Sequence, residues 1–181
     1  MKVTRKKAVQ NRKCIVETAS RLFRERGFDG VGVDAIMQAA GLTHGGFYNH
    51  FASKDDLAAE AAACALAAGA ENLAGVTSLQ DLVRNYLSSE HRDNRANGCA
   101  MAALGGEIAR QKPEVRKQLA AHVSNQIDWV AKLIGGKKTN PQRARAIREL
   151  SELVGALILA RAVSDRALSD EILEATRKAR T

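Results

Sequence analysis

The sequence predicts an all-α protein, and three observations on its 181 residues support that fold class. Apolar residues recur three and four positions apart along most of the chain, a spacing typical of amphipathic helices. No sustained alternation of Val, Ile and Thr with polar residues predicts a strand. Prolines, which interrupt helices, occur only at positions 113 and 141. We therefore expect about nine helices.

The net charge of +8 is distributed unevenly along the chain. Residues 1–54 hold ten Lys and Arg but only four Asp and Glu, so about a third of the sequence carries a net charge of +6. A basic surface of this kind is typical of proteins that bind a polyanion. Taken alone, the run from Lys2 to Lys13 is better explained as a solvated tail, and we expect a basic arm over about residues 1–8.

The cysteines and the apolar runs restrict the class of protein. Cys14, Cys64 and Cys99 are widely spaced and form no CxxC pair, which favours reduced thiols over a disulfide scaffold or a zinc site. No apolar run reaches the roughly 20 residues that cross a bilayer, and the basic N-terminus lacks the apolar centre of a secretion signal. No nucleophile, base and orienting group occur at a spacing typical of an active site. We expect a cytoplasmic protein without catalytic residues, metal, cofactor or membrane partner.

The stretch of residues 33–54 predicts two short helices joined by a tight turn. Gly41 stands where a helix end needs a left-handed residue, and Thr43 follows as a candidate N-cap whose hydroxyl accepts a backbone N–H. In the second helix Phe47 and Phe51 are four residues apart and form an inward face. The outward face is then formed by His44, Gly45, Tyr48 and Asn49. This is the helix-turn-helix layout, although two helices joined at a glycine also occur as plain scaffold.

The residue pattern of this stretch resembles the DNA-binding domain of the TetR family of transcriptional regulators. That family's helix-turn-helix commonly reads I…AAG(V/L)(S/T)xGxxYxHFxxKxxL. The matching residues here are Ile36, Ala39, Ala40, Gly41, Leu42, Thr43, Gly45, Tyr48, His50, Phe51, Lys54 and Leu57. The resemblance extends back through Ile15, Ala19, Leu22, Phe23, Gly27 and Phe28, and so covers about the first third of the chain. It implies a three-helix bundle with the helix-turn-helix over residues 1–53, followed by a helical ligand-binding and dimerisation domain over residues 54–181.

The resemblance also implies which residues contact DNA. Tyr48 and Lys54 match positions that commonly contact the DNA backbone, whereas His44, Gly45 and Asn49 match positions near base edges or the adjoining backbone. A histidine at position 50 is compatible with a phosphate contact and equally with packing at the helix end. Gly46 departs from the family, which often has Thr or Ser there to contact phosphate. The candidate DNA-binding residues are Thr43, His44, Gly45, Tyr48, Asn49, His50 and Lys54.

Caps and helix breakers predict the remaining helices. Gly27 ends the first helix and Gly135 ends a later one, whereas Ser53 caps the helix that follows the helix-turn-helix and Ser78 caps the next. A polar link at residues 91–98 interrupts the apolar pattern, and Pro113 opens a long helix at its first turn. Outside the helix-turn-helix, the expected helices cover about residues 9–26, 54–75, 79–87, 99–111, 113–134, 141–164 and 169–180.

Apolar residues of the second domain predict a ligand pocket, although such stripes more often form plain core. Cys99 follows Gly98 near a helix start, where the helix dipole and Arg92 or Arg95 would lower the thiol pKa and make it responsive to oxidants or electrophiles. The alternative is that Cys99 is an inert, small apolar side chain. The candidate ligand-binding residues are Tyr86, Cys99, Met101, Leu104, Ile108, Trp129 and Leu133.

The run LVGALILA at residues 153–160 predicts a helix with a strongly apolar face. That face would pack either within its own chain or against a second copy, and small residues on it permit close helix approach. The resemblance favours the second copy, because TetR-like proteins dimerise through their last two long helices. The candidate interface residues are Leu153, Gly155, Ala156, Leu157, Ala160 and Ile172. On this interpretation, Leu157→Glu yields monomers.

The resemblance implies a DNA-binding transcriptional regulator. It would bind a pseudo-palindromic operator in double-stranded DNA as a homodimer, and a small apolar or electrophilic effector would release it by moving the helix that follows the helix-turn-helix. Family usage favours a repressor. The alternative is a non-switching DNA-binding or architectural protein without an effector.

Overall fold

The computed structural model describes residues 4–71, 75–135 and 139–179, with only the backbone for residues 69–71. Those ranges form α-helices and 3-10 helices without a strand, which confirms the all-α class. None of the helices in this part of the chain is sufficiently long and apolar to cross a membrane. The α-helices are α1 (Arg5–Arg26), α2 (Val33–Ala39), α3 (Lys54–Glu71), α4 (Leu79–Tyr86), α5 (Ser89–Asp93), α6 (Ala100–Ile108), α7 (Pro113–Ile134), α8 (Asn140–Ala162) and α9 (Arg166–Lys178). The 3-10 helices are His44–Asn49, named here the recognition segment, and Arg95–Asn97.

Two helices begin earlier than predicted because their first caps were missed. Helix α1 starts at Arg5 rather than near residue 9, since the Thr4 hydroxyl accepts a hydrogen bond from the Lys7 N–H at 3.3 Å. Residues 5–8 of the predicted basic arm are therefore helix, and its first three residues lie outside the described ranges. Helix α9 starts at Arg166 rather than Ser169, because the Asp165 carboxylate accepts from two backbone N–H groups of the first turn.

The predicted polar link at residues 91–98 has regular structure of its own. Ser88 caps the five-residue helix α5 by accepting from the His91 N–H at 3.1 Å, and the 3-10 helix 95–97 follows. Helix α6 is shorter than predicted, since it ends at Ile108 rather than near residue 111. Several local signals are confirmed: Ser53 caps α3, Ser78 caps α4 and Pro113 opens α7.

The head, residues 4–53, is closed by an apolar core that extends beyond it. Side chains of α1, α2 and the recognition segment meet there, among them Phe23, Ile36 and Phe47, all at most 1% exposed. Leu104 and Ile108 of α6 belong to the same cluster. The apolar core therefore extends across the domain boundary predicted at residue 53. The C-terminal end of α6 joins the head to the body.

The body, residues 54–135 and 139–179, has a second core between α4, α7, α8 and α9. Four of the six predicted interface residues lie in this core rather than at a surface: Leu153, Ala156, Leu157 and Ala160. The residues predicted for a partner copy are thus mainly contacts within one chain. The run at 153–160 is apolar on both sides, so periodicity alone did not distinguish its inner face from its outer face.

Candidate nucleic-acid interface and body cavity

The recognition segment is a 3-10 helix rather than the predicted α-helix. Thr43 precedes it in extended conformation, but its hydroxyl makes no capping hydrogen bond. Two consecutive glycines, Gly45 and Gly46, lower the α-helical propensity of these six residues, and short 3-10 turns are common in such places. The predicted inward face is confirmed: Phe47 and Phe51 are buried, with stacked rings whose centroids are 5.6 Å apart.

The predicted outward face is also confirmed as a surface. Thr43, His44, Gly45, Tyr48 and Asn49 are all exposed, and Tyr48 retains 65% of its surface despite its large ring. The two remaining DNA-binding candidates, His50 and Lys54, are half-buried at the end of the recognition segment and the start of α3. The head therefore presents a continuous polar edge in which an aromatic ring stands exposed.

His44 is held to the preceding helix by a residue that sequence analysis missed. Its Nδ1 contacts the carboxylate of Asp34 on α2, and its ring meets the edge of Tyr48 with centroids 5.9 Å apart. This contact orients the imidazole, and the Nε2 atom is left for an outside partner. Because Asp34 lies ten residues away in another helix, no local spacing in the sequence indicated the pair.

Gly41 and Gly45 differ in whether the backbone conformation requires a glycine. Gly41 has φ +70°, so the chain itself needs glycine at the turn. Gly45 is not in the positive-φ region, and a Cβ built there would meet nothing within 4 Å. The fold of this chain therefore does not require glycine at position 45, which lies on the exposed edge.

Not all of the positive charge in the head faces outward. The Arg12 guanidinium forms a bidentate pair with Glu60 on α3, which raises its pKa, and lies 4.4 Å from the centroid of the Phe51 ring. Arg24 is only 6% exposed, and burial lowers its pKa. Its Nε and Nη1 atoms have no hydrogen-bond partner among the residues that the structure describes. The net charge of this region therefore overstates the charge that its surface offers to a polyanion.

The body contains a cavity of about 490 Å³ between α4, α6, α7 and α8. Four of the seven ligand-binding candidates line it: Tyr86, Cys99, Met101 and Trp129. The other three lie elsewhere, since Leu104 and Ile108 are buried in the head cluster and Leu133 packs on the body core outside the cavity lining. Helix α6 thus begins at the cavity and ends in the head.

Polar residues of the cavity wall were missed by sequence analysis. His122 and Gln126 line the cavity beside Trp129, and burial lowers the pKa of the His122 imidazole. A signal was present, because these three residues follow a spacing of four and three along α7 and so share one helix face. That face is offset from the apolar stripe used to predict the helix.

His91 also lines the cavity, but both of its ring nitrogens are occupied. Nδ1 donates to the Tyr86 carbonyl oxygen at 2.7 Å, and Nε2 accepts from the Cys99 N–H at 3.0 Å. These two bonds require the neutral imidazole, and burial lowers the pKa of His91 accordingly. His91 therefore ties the end of α4 to the start of α6 and serves as a brace of the cavity wall.

The arginines proposed to activate Cys99 are engaged elsewhere. Arg92 is 3% exposed and bonds to Asp93 at 2.8 Å and to the Ser169 hydroxyl at 2.9 Å. Arg95 donates to the Arg161 carbonyl oxygen at 2.7 Å. The two arginines on which the argument for a reactive Cys99 was based are therefore bonded to other groups. This favours the alternative, in which Cys99 is an inert, small apolar side chain.

Helix α6 is attached to the head by a hydrogen bond as well as by apolar packing. The Phe28 N–H donates to the Glu107 carboxylate at 2.7 Å, across 79 residues of sequence. The adjoining Gly27 has φ +76°, and a Cβ there would come within 2.7 Å of the same carboxylate. The turn after α1 is thereby fixed to the end of the helix whose beginning lines the cavity.

Comparison with known proteins agrees with this architecture. Residues 15–61 match the family model described as "Bacterial regulatory proteins, tetR family". The HTH-type transcriptional regulator AcrR of Shigella flexneri is 39% identical over 57 residues, which are 32% of this chain and 26% of that protein. The curated relatives are thus matched over about a quarter of their own length, in the DNA-binding region.

Solved structures match over nearly the whole chain. A TetR-family regulator from Cytophaga hutchinsonii has a TM-score of 0.74 at 18% identity, covering 98% of this chain and 96% of that one. A transcriptional regulator from Saccharomonospora viridis, solved in complex with choline, has a TM-score of 0.73 at 19% identity, covering 94% and 95%. At these identities the likeness concerns the fold. Together, the sequence match over residues 15–61 and the likeness in fold support a TetR-family transcriptional regulator.

Proposed function

We propose that this protein is a repressor that binds a pseudo-palindromic operator as a homodimer and is released by a small molecule bound in the body cavity. As a TetR-family regulator it is not an enzyme. The observation that best supports operator binding is the exposed edge of the recognition segment, which combines polar side chains and a glycine that the fold does not need. We place its action in the cytoplasm, where a bacterial operator lies.

The DNA contacts that we propose follow from side-chain chemistry. Tyr48 and Lys54 would bond to phosphate, since a phenol hydroxyl and a flexible ammonium both donate to phosphate oxygens. Asn49 and His44 would contact base edges in the major groove, where Asn pairs well with adenine. The absence of a side chain at Gly45 would let the backbone approach the duplex closely.

The outer face of α8 carries exposed apolar residues that would suit dimerisation. Ile147, Gly155 and Ile158 recur on one stripe of that helix, and Ile147 and Ile158 are 42% and 43% exposed. Leu159 and Leu168 add exposed apolar surface on α8 and α9. A two-fold dimer through this face would present two recognition segments about 34–36 Å apart, or a multiple of it, to one duplex.

A charge on this face tests the dimer. Ile158→Glu is expected to yield folded monomers with unchanged helical circular dichroism, because the substituted side chain remains in solvent. Leu157→Glu is the contrasting variant: Leu157 is 0% exposed, so a carboxylate there is expected to unfold the body rather than separate two copies. Light scattering after size exclusion measures both, and an intact dimer in Ile158→Glu would contradict this placement.

Ligand control would act through helix α6 together with α3. A ligand changes the population of operator-binding conformations only by its differential affinity for them, so the cavity must change shape when the heads move. The Saccharomonospora viridis neighbour holds choline, which supports a ligand-binding role for a body of this fold. The Glu107 contact connects α6, whose start lines the cavity, to the turn after α1 in the head.

DNA binding is tested with duplexes from the region flanking the protein's own gene, by gel shift and fluorescence anisotropy. The wild type is expected to select one duplex, and Asn49→Ala to relax that selection. Lys54→Ala should weaken all duplexes and reduce the salt slope by about 1. Repeating the measurement with a small-molecule panel separates the two hypotheses, because a non-switching architectural protein would show no ligand-dependent change.

A further inference from the structure

The charged groups of the cavity wall lie at its rim rather than inside. Among the described lining residues, Arg84 and Glu90 carry charge, and both are exposed. Arg84 is moreover paired with Asp81 at 2.5 Å. Deeper in the wall lie the neutral side chains of Tyr86, Trp129 and their neighbours. A charged ligand group that entered the interior would therefore lose its hydration without meeting a counter-charge, which is unfavourable.

Tyr86 lines this interior, and its hydroxyl, beside the Cys99 side chain, is an unused hydrogen-bond donor. The residue is 8% exposed, and its hydroxyl has no hydrogen-bond partner among the residues that the structure describes. Burial raises the phenol pKa well above its ordinary value, so the group remains a neutral donor at any physiological pH. A buried hydroxyl without an acceptor destabilises the ligand-free protein, and an acceptor from a ligand would remove that penalty.

The other polar residues of the wall differ in their availability. His91 is excluded as a ligand contact, since both ring nitrogens bond to the backbone. Gln126 and Trp129 lie on the same face of α7 and make no side-chain hydrogen bond within the described part of the chain. Trp129 also offers a flat apolar surface, and Met101, which lines the same cavity, has a flexible thioether that adapts well to aromatic rings.

We propose that the effector is an uncharged aromatic compound whose carbonyl or ether oxygen accepts a hydrogen bond from the Tyr86 hydroxyl, with its ring system against Trp129 and Met101. This inference rests on the proposed function and specifies the ligand class for the same cavity. A cavity of about 490 Å³ holds a two- to three-ring molecule. Two arginines behind the wall, Arg24 and Arg161, would favour a carboxylate, but neither lines the cavity. Arg161 is held instead by donating to the carbonyl oxygens of His91 and Arg92.

Four naphthalenes that share one ring system test the ligand class in the full-length protein by titration calorimetry. They are 2-acetylnaphthalene, 2-ethylnaphthalene, naphthalene-2-carboxylate and 2-naphthylmethyl-trimethylammonium. We expect 2-acetylnaphthalene to bind most tightly, the ethyl compound about five- to tenfold less tightly because it lacks the acceptor, and both charged compounds more weakly still. Tightest binding by the carboxylate or the ammonium compound, or no binding by any of the four, overturns the proposal.

Tyr86→Phe tests the hydrogen bond itself, and Tyr48→Phe on the exposed recognition segment is its matched control. In Tyr86→Phe we expect the preference for acetyl over ethyl to disappear and the ligand-free melting temperature to rise, since an unsatisfied buried hydroxyl is removed. Tyr48→Phe should change neither quantity. An acetyl preference that persists in Tyr86→Phe, or a lower ligand-free melting temperature, would overturn the assignment.

The two proposals fail in different ways. If the wild type bound the naphthalenes in the expected order but bound no duplex, the repressor function would fail and the ligand class would stand. If it bound an operator but preferred a charged naphthalene, the ligand class would fail and DNA binding would stand.

Discussion

The head and the body bury their side chains in different ways. In the head, aromatic and aliphatic residues such as Phe23 and Phe47 fill one core, and its exposed edge carries the polar side chains. In the body, the helices enclose a cavity whose wall includes a buried, unbonded tyrosine hydroxyl. A closed core suits a rigid surface that matches a duplex, whereas an open core with unsatisfied donors suits a site that changes when a ligand enters.

Helix α6 contributes side chains to both regions and therefore links the cavity to the head core. Its first residues, Ala100 and Met101, line the cavity, while Leu104 and Ile108 are buried in the head core. If the proposed function holds, a shift at its start would reach the back of the head through this nine-residue helix. Close-packed cores transmit such shifts because they resist gradual deformation.

Truncating one aromatic residue in each region should produce the largest contrast. Phe47→Ala removes a fully buried ring from the head core and is expected to cost about 3–5 kcal/mol of unfolding free energy. Trp129→Ala should cost clearly less, because its ring is half-buried and already borders a cavity, but it should abolish binding of 2-acetylnaphthalene. Urea unfolding and calorimetry measure both quantities. Equal destabilisation by the two changes would contradict the view of the body as the looser region.

Removing the Glu107 carboxylate should uncouple the two regions. Glu107→Ala leaves the Phe28 N–H without its acceptor, at an expected cost of about 1–3 kcal/mol in unfolding free energy. The ligand should still bind, but it should change operator affinity less than in the wild type. Glu171→Ala, which removes an exposed carboxylate on α9, is the control. A full ligand effect on DNA binding in Glu107→Ala would show that coupling follows another path.

The smallest expected effect is a pH dependence that arises in the body alone. Burial lowers the pKa of His91 and His122, so the folded protein binds fewer protons there than the unfolded chain. Stability is therefore full above the unfolded histidine pKa of about 6.5 and decreases as the pH falls through it toward the lowered folded values. His122→Gln should flatten this decrease in urea titrations from neutral pH to mildly acidic pH. An unchanged slope in His122→Gln would contradict the assignment.

Signals that act within a few residues were read correctly from the sequence. Gly27, Gly41 and Gly135 end their segments with positive φ, and Ser53 and Ser78 cap the helices that follow them. The all-α class and the helix-turn-helix follow from the same kind of signal. At the starts of α1 and α9, an earlier cap was overlooked rather than absent. At Thr43 the predicted cap makes no hydrogen bond, and the helix that follows is a 3-10 helix.

Contacts between distant residues could not be predicted in this way. The pairing of Arg12 with Glu60 withdraws a charge that the sequence assigned to the surface, and the Asp34 contact orients His44. Leu104 and Ile108 have the apolar spacing of cavity-lining residues, yet the tilt of α6 carries them into the head.

The sequence alone therefore determined the all-α class, several helix ends and the resemblance of the head to one family, because each depends on preferences that a few neighbouring residues decide. The tertiary structure decided which side of an apolar helix faces inward, so that Leu157 is buried while the adjacent Ile158 is exposed. It also decided that Tyr86 and Trp129 share a cavity. Burial and cavity shape depend on every element packed around a residue, and no local spacing contains that information.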